Sequence, residues 1–133
     1  MKVLAVDYGT KRTGLAWTDT KLDMTLPYGV ISISSKNKQP AITQTVEALV
    51  QLLAKEQIDV VIVGLPTDAS GQETRMTQAV QKFVFELGKH ITASIEFFDE
   101  RFTSKGAVVG GDTVSADEQA AMAILSGWLQ LQK

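Results

Sequence analysis

Three acids stand at positions where a carboxylate calls for an explanation. Asp7 ends the apolar run "KVLAVD", Glu100 lies in "SIEFFDER", and Asp117 opens "ADEQAAMAIL". Carboxylates that meet repel one another unless cations neutralise them, and hard oxygen donors suit Mg²⁺ or Mn²⁺. Two such ions ~3.5 to 4 Å apart serve phosphodiester hydrolysis by activating a water and stabilising the leaving oxygen, with no call on cysteine or histidine. The chain has no cysteine and one histidine. Disulfides and thiolate metal sites are therefore excluded, and a reducing compartment fits. Each acid also has a plainer reading. Asp7 before Tyr8 and Gly9 suits an Asx-turn, Glu100 beside Arg101 suits a surface ion pair, and Ser115-x-x-Glu118 has the form of a capping box that Asp117 merely decorates.

The elements that would position these acids follow from periodicity. Residues 2–7 read as a continuously apolar, buried strand, joined by a turn at 8–12 to a second strand at 13–18. Residues 28–34 alternate as a third strand nearer the edge, with Pro27 just before it. In residues 41–55, Ile42, Val46, Leu49, Val50 and Leu53 recur at helical steps; in 74–90, Met76, Val80, Phe83, Val84 and Leu87 do the same. Between these helices "DVVIVGLP" (59–66) is a buried strand, and 94–101 is the last strand. In the final helix, 115–132, Asp117 heads a stripe formed with Ala121, Ile124, Leu125 and Trp128, and the first turn favours an ionised acid. The order predicts an α/β fold whose mixed five-stranded sheet begins as an antiparallel meander and continues by parallel crossovers flanked by helices. Ligands gather at the carboxyl ends of such strands, so the acids are expected to share one rim.

Length and charge bound the rest. At 133 residues, 44% hydrophobic and 21% charged, the chain is expected to form one domain over 1–133, folded throughout. No apolar run approaches the ~18 residues of a membrane span and the N-terminus does not read as a signal peptide, so no membrane partner and a cytoplasmic location are expected. A net charge of -2 offers no broad electrostatic hold on nucleic acid. Any such hold must be local: Lys11, Arg12 and Arg75 flank the expected rim, whereas Lys36 and Lys38 look like a solvated loop. Trp17 and Trp128 occupy apolar positions and are read as core. His90, at a helix end, is given no catalytic role.

"VDYGTKRTGLA", "IVGLP" followed by Gly71, "DERFTS" and "ADEQAAMAIL", in that order, resemble the YqgF (RuvX) family of RNase H-like proteins. The resemblance spans almost the whole chain. It implies a ribonuclease H-like fold and a nuclease that matures the 5′ end of precursor 16S rRNA, with Holliday junction resolution on branched DNA as the alternative. It also implies that Asp7, Glu100 and Asp117 are catalytic ligands of a two-ion Mg²⁺ or Mn²⁺ site, with Arg101 steadying Glu100 or a phosphate. Gly9, Arg12, Gly14, Gly64, Leu65, Pro66, Asp99 and Thr103 match the remaining motif positions, Thr103 on the substrate side. Two departures stand out: "TDASG" replaces the family's usual Asn-Met-Asp-Gly type loop, and the segment after Arg101 is short, with Lys105 its one cation. The protein is expected to work as a monomer or homodimer. Two rival readings are an ATP-binding half-domain of the actin type, suggested by Asp-x-Gly-Thr, and a non-catalytic RNA-binding or assembly module.

Overall fold

The first strand, β1 (Lys2–Asp7), is apolar without alternation because it lies inside the sheet, covered on both faces. A computed structural model describes residues 1–22, 24–102 and 113–132, the side chain of Phe102 excepted. After β1 come β2 (Arg12–Asp19), β3 (Leu26–Ser32), α1 (Ala41–Lys55), β4 (Val60–Leu65), α2 (Arg75–Gly88), β5 (Ser94–Asp99), a single 3-10 turn (Glu100–Phe102) and α3 (Ala116–Leu131). The five strands form one sheet in the order β3-β2-β1-β4-β5. β1 pairs antiparallel with β2 and β2 with β3, while β1–β4 and β4–β5 are parallel. This is the expected meander followed by crossovers.

Alternation along β1 divides the core. Leu4 and Val6 pack with Val46, Leu49, Val80, Phe83 and Leu87 of α1 and α2, whereas Val3 and Ala5 pack with Ala121, Met122, Ile124, Leu125 and Trp128 of α3. Each fully buried large aliphatic side chain here stabilises the fold by about 1.5–3 kcal/mol. The Tyr8 ring stacks on Phe83, centroids 4.3 Å apart, fixing the exit of β1 against α2. Trp128 is buried and donates its indole N–H to Glu96 Oε1 at 3.3 Å, and Trp17 meets Tyr28 edge-on at 6.5 Å. No helix among the described residues is long and apolar enough to cross a membrane.

Several boundaries differ from expectation, and some have a clear local reason. β3 begins at Leu26, so Pro27 lies within the strand; its missing N–H is tolerated because β3 is an edge. Its register against β2 shifts between Leu15 and Ala16, next to Gly29 at φ 149°. β5 stops at Asp99 instead of running to 101, because Asp99 Oδ1 accepts a hydrogen bond from the Arg101 N–H at 2.9 Å and turns the chain. Thr74 and Lys89, expected in α2, and Ser115 and Gln132, expected in α3, are caps. Thr74 with Thr77, and Ser115 with Glu118, close reciprocal capping boxes.

Candidate active site

Strand register brings Asp7 to the start of α3. Asp7 is paired with Gly14 of β2, and a Cβ added at Gly14 would collide with the backbone carbonyl of Asp117. The helix can rest on the strand at this point only because Gly14 has no side chain. On the other flank β4 supplies a second gap: a Cβ at Gly64 would come within 2.5 Å of both Glu100 Oε1 and Ile124 Cδ1. The parallel pairings β1–β4 and β4–β5 put the ends of β1 and β5 on the same side of the sheet, and the turn after Asp99 carries Glu100 back over Gly64. Asp7, Glu100 and Asp117 thus lie on the α3 face of one rim.

The electrostatics show how closely they meet. The carboxyl groups of Asp7 and Glu100 are hydrogen-bonded to each other. Burial is the main cause that pushes Glu100 up to about 7, followed by the charge of Asp7, this hydrogen bond, and the charge of Asp99. Asp7 is also raised, chiefly by burial and further by the charge of Asp117, against the lowering effect of its bond to Glu100. Burial and mutual repulsion therefore favour a protonated form of the pair. Asp117 instead engages Arg12, Nε to Oδ2 at 3.0 Å, so the capping-box position and the rim position are both real. Among the described residues no three acids or histidines are gathered at ligand spacing. The donor set nevertheless fits a hard divalent cation: it is all oxygen, and two of its members are raised by burial and by neighbouring charge, which a bound cation would offset.

The remaining residues singled out in the sequence fall in two groups. Arg101 clasps Asp99, with Nη2 to Oδ2 at 2.7 Å and Nε to the two oxygens at 3.1 and 3.0 Å, and this hydrogen bond holds the Asp99 carboxyl below the usual range. Arg101 thus holds Asp99, beside the role toward Glu100 or a phosphate that the resemblance implies. Its guanidinium lies against Gly71, at φ 86°, where a Cβ would approach Nη1 to 2.8 Å. The "TDASG" loop folds around Asp68, whose Oδ1 accepts from Ser70 N, Ser70 Oγ and Gln72 N. Pro66 accepts from the buried Thr77 hydroxyl, which ties the exit of β4 to the α2 cap. Gly9 and Thr13 bond across the β1–β2 turn. Lys11 and Arg75 are exposed, and among the described residues neither forms an ion pair. Arg75 opens α2, at the same end of the sheet but on the face opposite α3. Thr103 and Lys105 lie outside the described residues.

Sequence reasoning missed the Arg12–Asp117 pair and the role of Asp99 as the stop for β5. The second had a local signal, Asp followed two residues later by Arg. The first spans 105 residues and had none.

Comparison with known proteins agrees with this fold. The solved structure of T. thermophilus RuvC in complex with a Holliday junction superposes with a TM-score of 0.66 at 16% identity, covering 99% of this chain and 95% of that one, which shows a common fold. Curated relatives named "Putative pre-16S rRNA nuclease" include one from Rickettsia africae, 38% identical over 105 residues, 79% of this chain and 64% of that protein. Another, from Maridesulfovibrio salexigens, is 29% identical over 97% of this chain and 98% of its own length. The chain spans about two thirds of the Rickettsia proteins it matches, 65% of the one from Rickettsia canadensis. The family model described as "RuvX: Holliday junction resolvase" matches residues 1–131, and the chain belongs to the RuvX family.

Proposed function

We propose that this protein is a divalent-cation-dependent phosphodiesterase acting on structured nucleic acid, with precursor 16S rRNA as its substrate. The observation that carries the reading is the direct Asp7–Glu100 contact under the charge of Asp117, at the carboxyl ends of β1 and β5 in a chain of the RuvX family. Asp7, Glu100 and Asp117 would hold Mg²⁺ or Mn²⁺. When bound, the ion supplies Lewis-acid polarisation of the phosphate and lowers the pKa of the attacking water.

The protein's own part begins with protonation. Release of the proton that burial and repulsion favour on the Asp7–Glu100 pair would leave both carboxylates charged to hold a cation. Gly14 and Gly64 keep the three acids close by omitting side chains, and Gly9 shapes the turn between Asp7 and Arg12. Asp99 and Pro66 hold the two strand exits in place through Arg101 and Thr77. Lys11, Arg12, Arg75, Arg101 and Thr103 are the candidate phosphate contacts. With a net charge of -2, affinity comes from these few contacts and the cation, not from a broad basic face. The protein acts in the cytoplasm as one domain, as a monomer or homodimer.

A second substrate, four-way branched DNA, is favoured by the family's description and by the RuvC-like fold. The deciding experiment compares Mn²⁺-dependent cleavage of a precursor-rRNA stem and of a four-way DNA junction by wild type and Asp7→Asn. Loss of RNA cleavage in the variant is expected. Equal activity of the two proteins would remove Asp7 from the mechanism, and cleavage of the junction alone would replace RNA with DNA.

A further inference from the structure

The pair formed by Arg12 and Asp117 joins the first residue of β2 to the first turn of α3. Residues of a strand alternate between faces, so Arg12 projects on the side of Gly14 and Ala16, where α3 packs. Its hold on Asp117 is light. The contact is made by Nε alone, Arg12 is 65% exposed and Asp117 30%, and among the described residues the two Nη groups have no hydrogen-bond partner. A buried, forked pair would serve as a structural clamp; an exposed pair with one contact exchanges readily.

We infer that Arg12 is an exchangeable counter-cation: it neutralises Asp117 while the site is free of divalent ions, and passes to a phosphate of the nucleic acid once Asp117 turns to the ion. The inference rests on the reading that Asp7, Glu100 and Asp117 form the cation site. Two features carry it. Asp117 is paired with Arg12, so an incoming ion competes with Arg12 for it. A guanidinium released at this rim keeps its planar fork of donors, which suits a phosphate oxygen pair. Arg12 is thus a positioning residue in the ion-free state and a substrate contact in the loaded one.

Two measurements test this. Calorimetric titration of Mn²⁺ into the full chain, with Asp7→Asn marking the heat that belongs to the acid site, should show Arg12→Gln binding about 3- to 10-fold more tightly than wild type, since a competitor for Asp117 and a nearby positive charge are both gone. A purely structural role would leave the affinity unchanged or weaken it, and that result overturns the inference while leaving the cation site intact. No heat lost on Asp7→Asn would instead overturn the underlying reading, and the inference with it. The second measurement follows binding of a labelled RNA hairpin across salt concentration, with and without Ca²⁺. Arg12→Gln should weaken binding and lower the logarithmic salt slope by about one only when Ca²⁺ is present. An equal loss in both conditions would show that Arg12 never leaves the phosphate for Asp117, and overturns the exchange.

Discussion

Replacing Glu100 with glutamine should make the ion-free protein more stable, and only above the pH at which an ordinary glutamate ionises. Glu100 is carried from the usual 4.5 to about 7, largely by burial and by the neighbouring Asp7. Between those values the native chain keeps a proton that the unfolded chain has lost, so the unfolding free energy falls as pH rises through this window and is level above it. A displacement of this size corresponds to at most about 3 kcal/mol, and solvent screening at a partly exposed carboxyl brings it to about 1–2 kcal/mol. Glutamine has similar volume, can donate to Asp7 as the protonated acid does, and cannot ionise. Urea and thermal denaturation in EDTA across pH 5 to 8.5 would read the effect. Wild-type stability should drop by about 1–2 kcal/mol between about pH 5 and 7.5, and Glu100→Gln should abolish most of that drop, raising Tm at pH 8 by about 3–8 °C. The exposed carboxyls held low, Asp19, Asp68 and Asp99, contribute below the ordinary aspartate value of 3.8 and leave this window clear. A flat wild-type profile from pH 5 to 8, or a variant no more stable than wild type at pH 8, would refute the reasoning.

Gly64→Ala should destabilise the protein by about 1–3 kcal/mol in urea and erase the pH dependence assigned to Glu100, because the new methyl takes the place of its carboxyl oxygen. Gly14→Ala should be worse, about 3 kcal/mol or more, since it meets the backbone of α3 and not a movable side chain; loss of Mn²⁺ affinity in titration should accompany it. Ser115→Ala removes one half of a capping box and should cost about 1 kcal/mol in chemical denaturation, with little change in the pH profile.

Most of the architecture was legible because burial writes itself into periodicity. The apolar steps from Ile42 to Leu53 predict α1 to its observed bounds, and the unbroken run of β1 places it inside the sheet. Chain ends of elements were less legible where a polar side chain overrides the pattern. Asp99 captures the Arg101 N–H and ends β5 although the residues before it continue the strand. The three acids could be named from their positions at element ends, and the structure brings them to one rim. Their partners could not be named. That Glu100 meets Asp7 depends on the gap left by Gly64, and that Asp117 meets Arg12 depends on the helix lying against Gly14. Both are close approaches between segments far apart in sequence, and a missing side chain leaves no periodic trace.

The seat of α3 on Gly14 has a consequence for the order of synthesis. A ribosome delivers Arg12 and Asp7 early and Asp117 105 residues after Arg12, so a nascent chain holds two acids and an unopposed guanidinium until its last helix docks. Until then the sheet face made by Val3, Ala5, Ala16 and Ile62 stays bare. A chain cut before Ser115 should therefore show no cooperative unfolding and, on the proposed function, no cleavage.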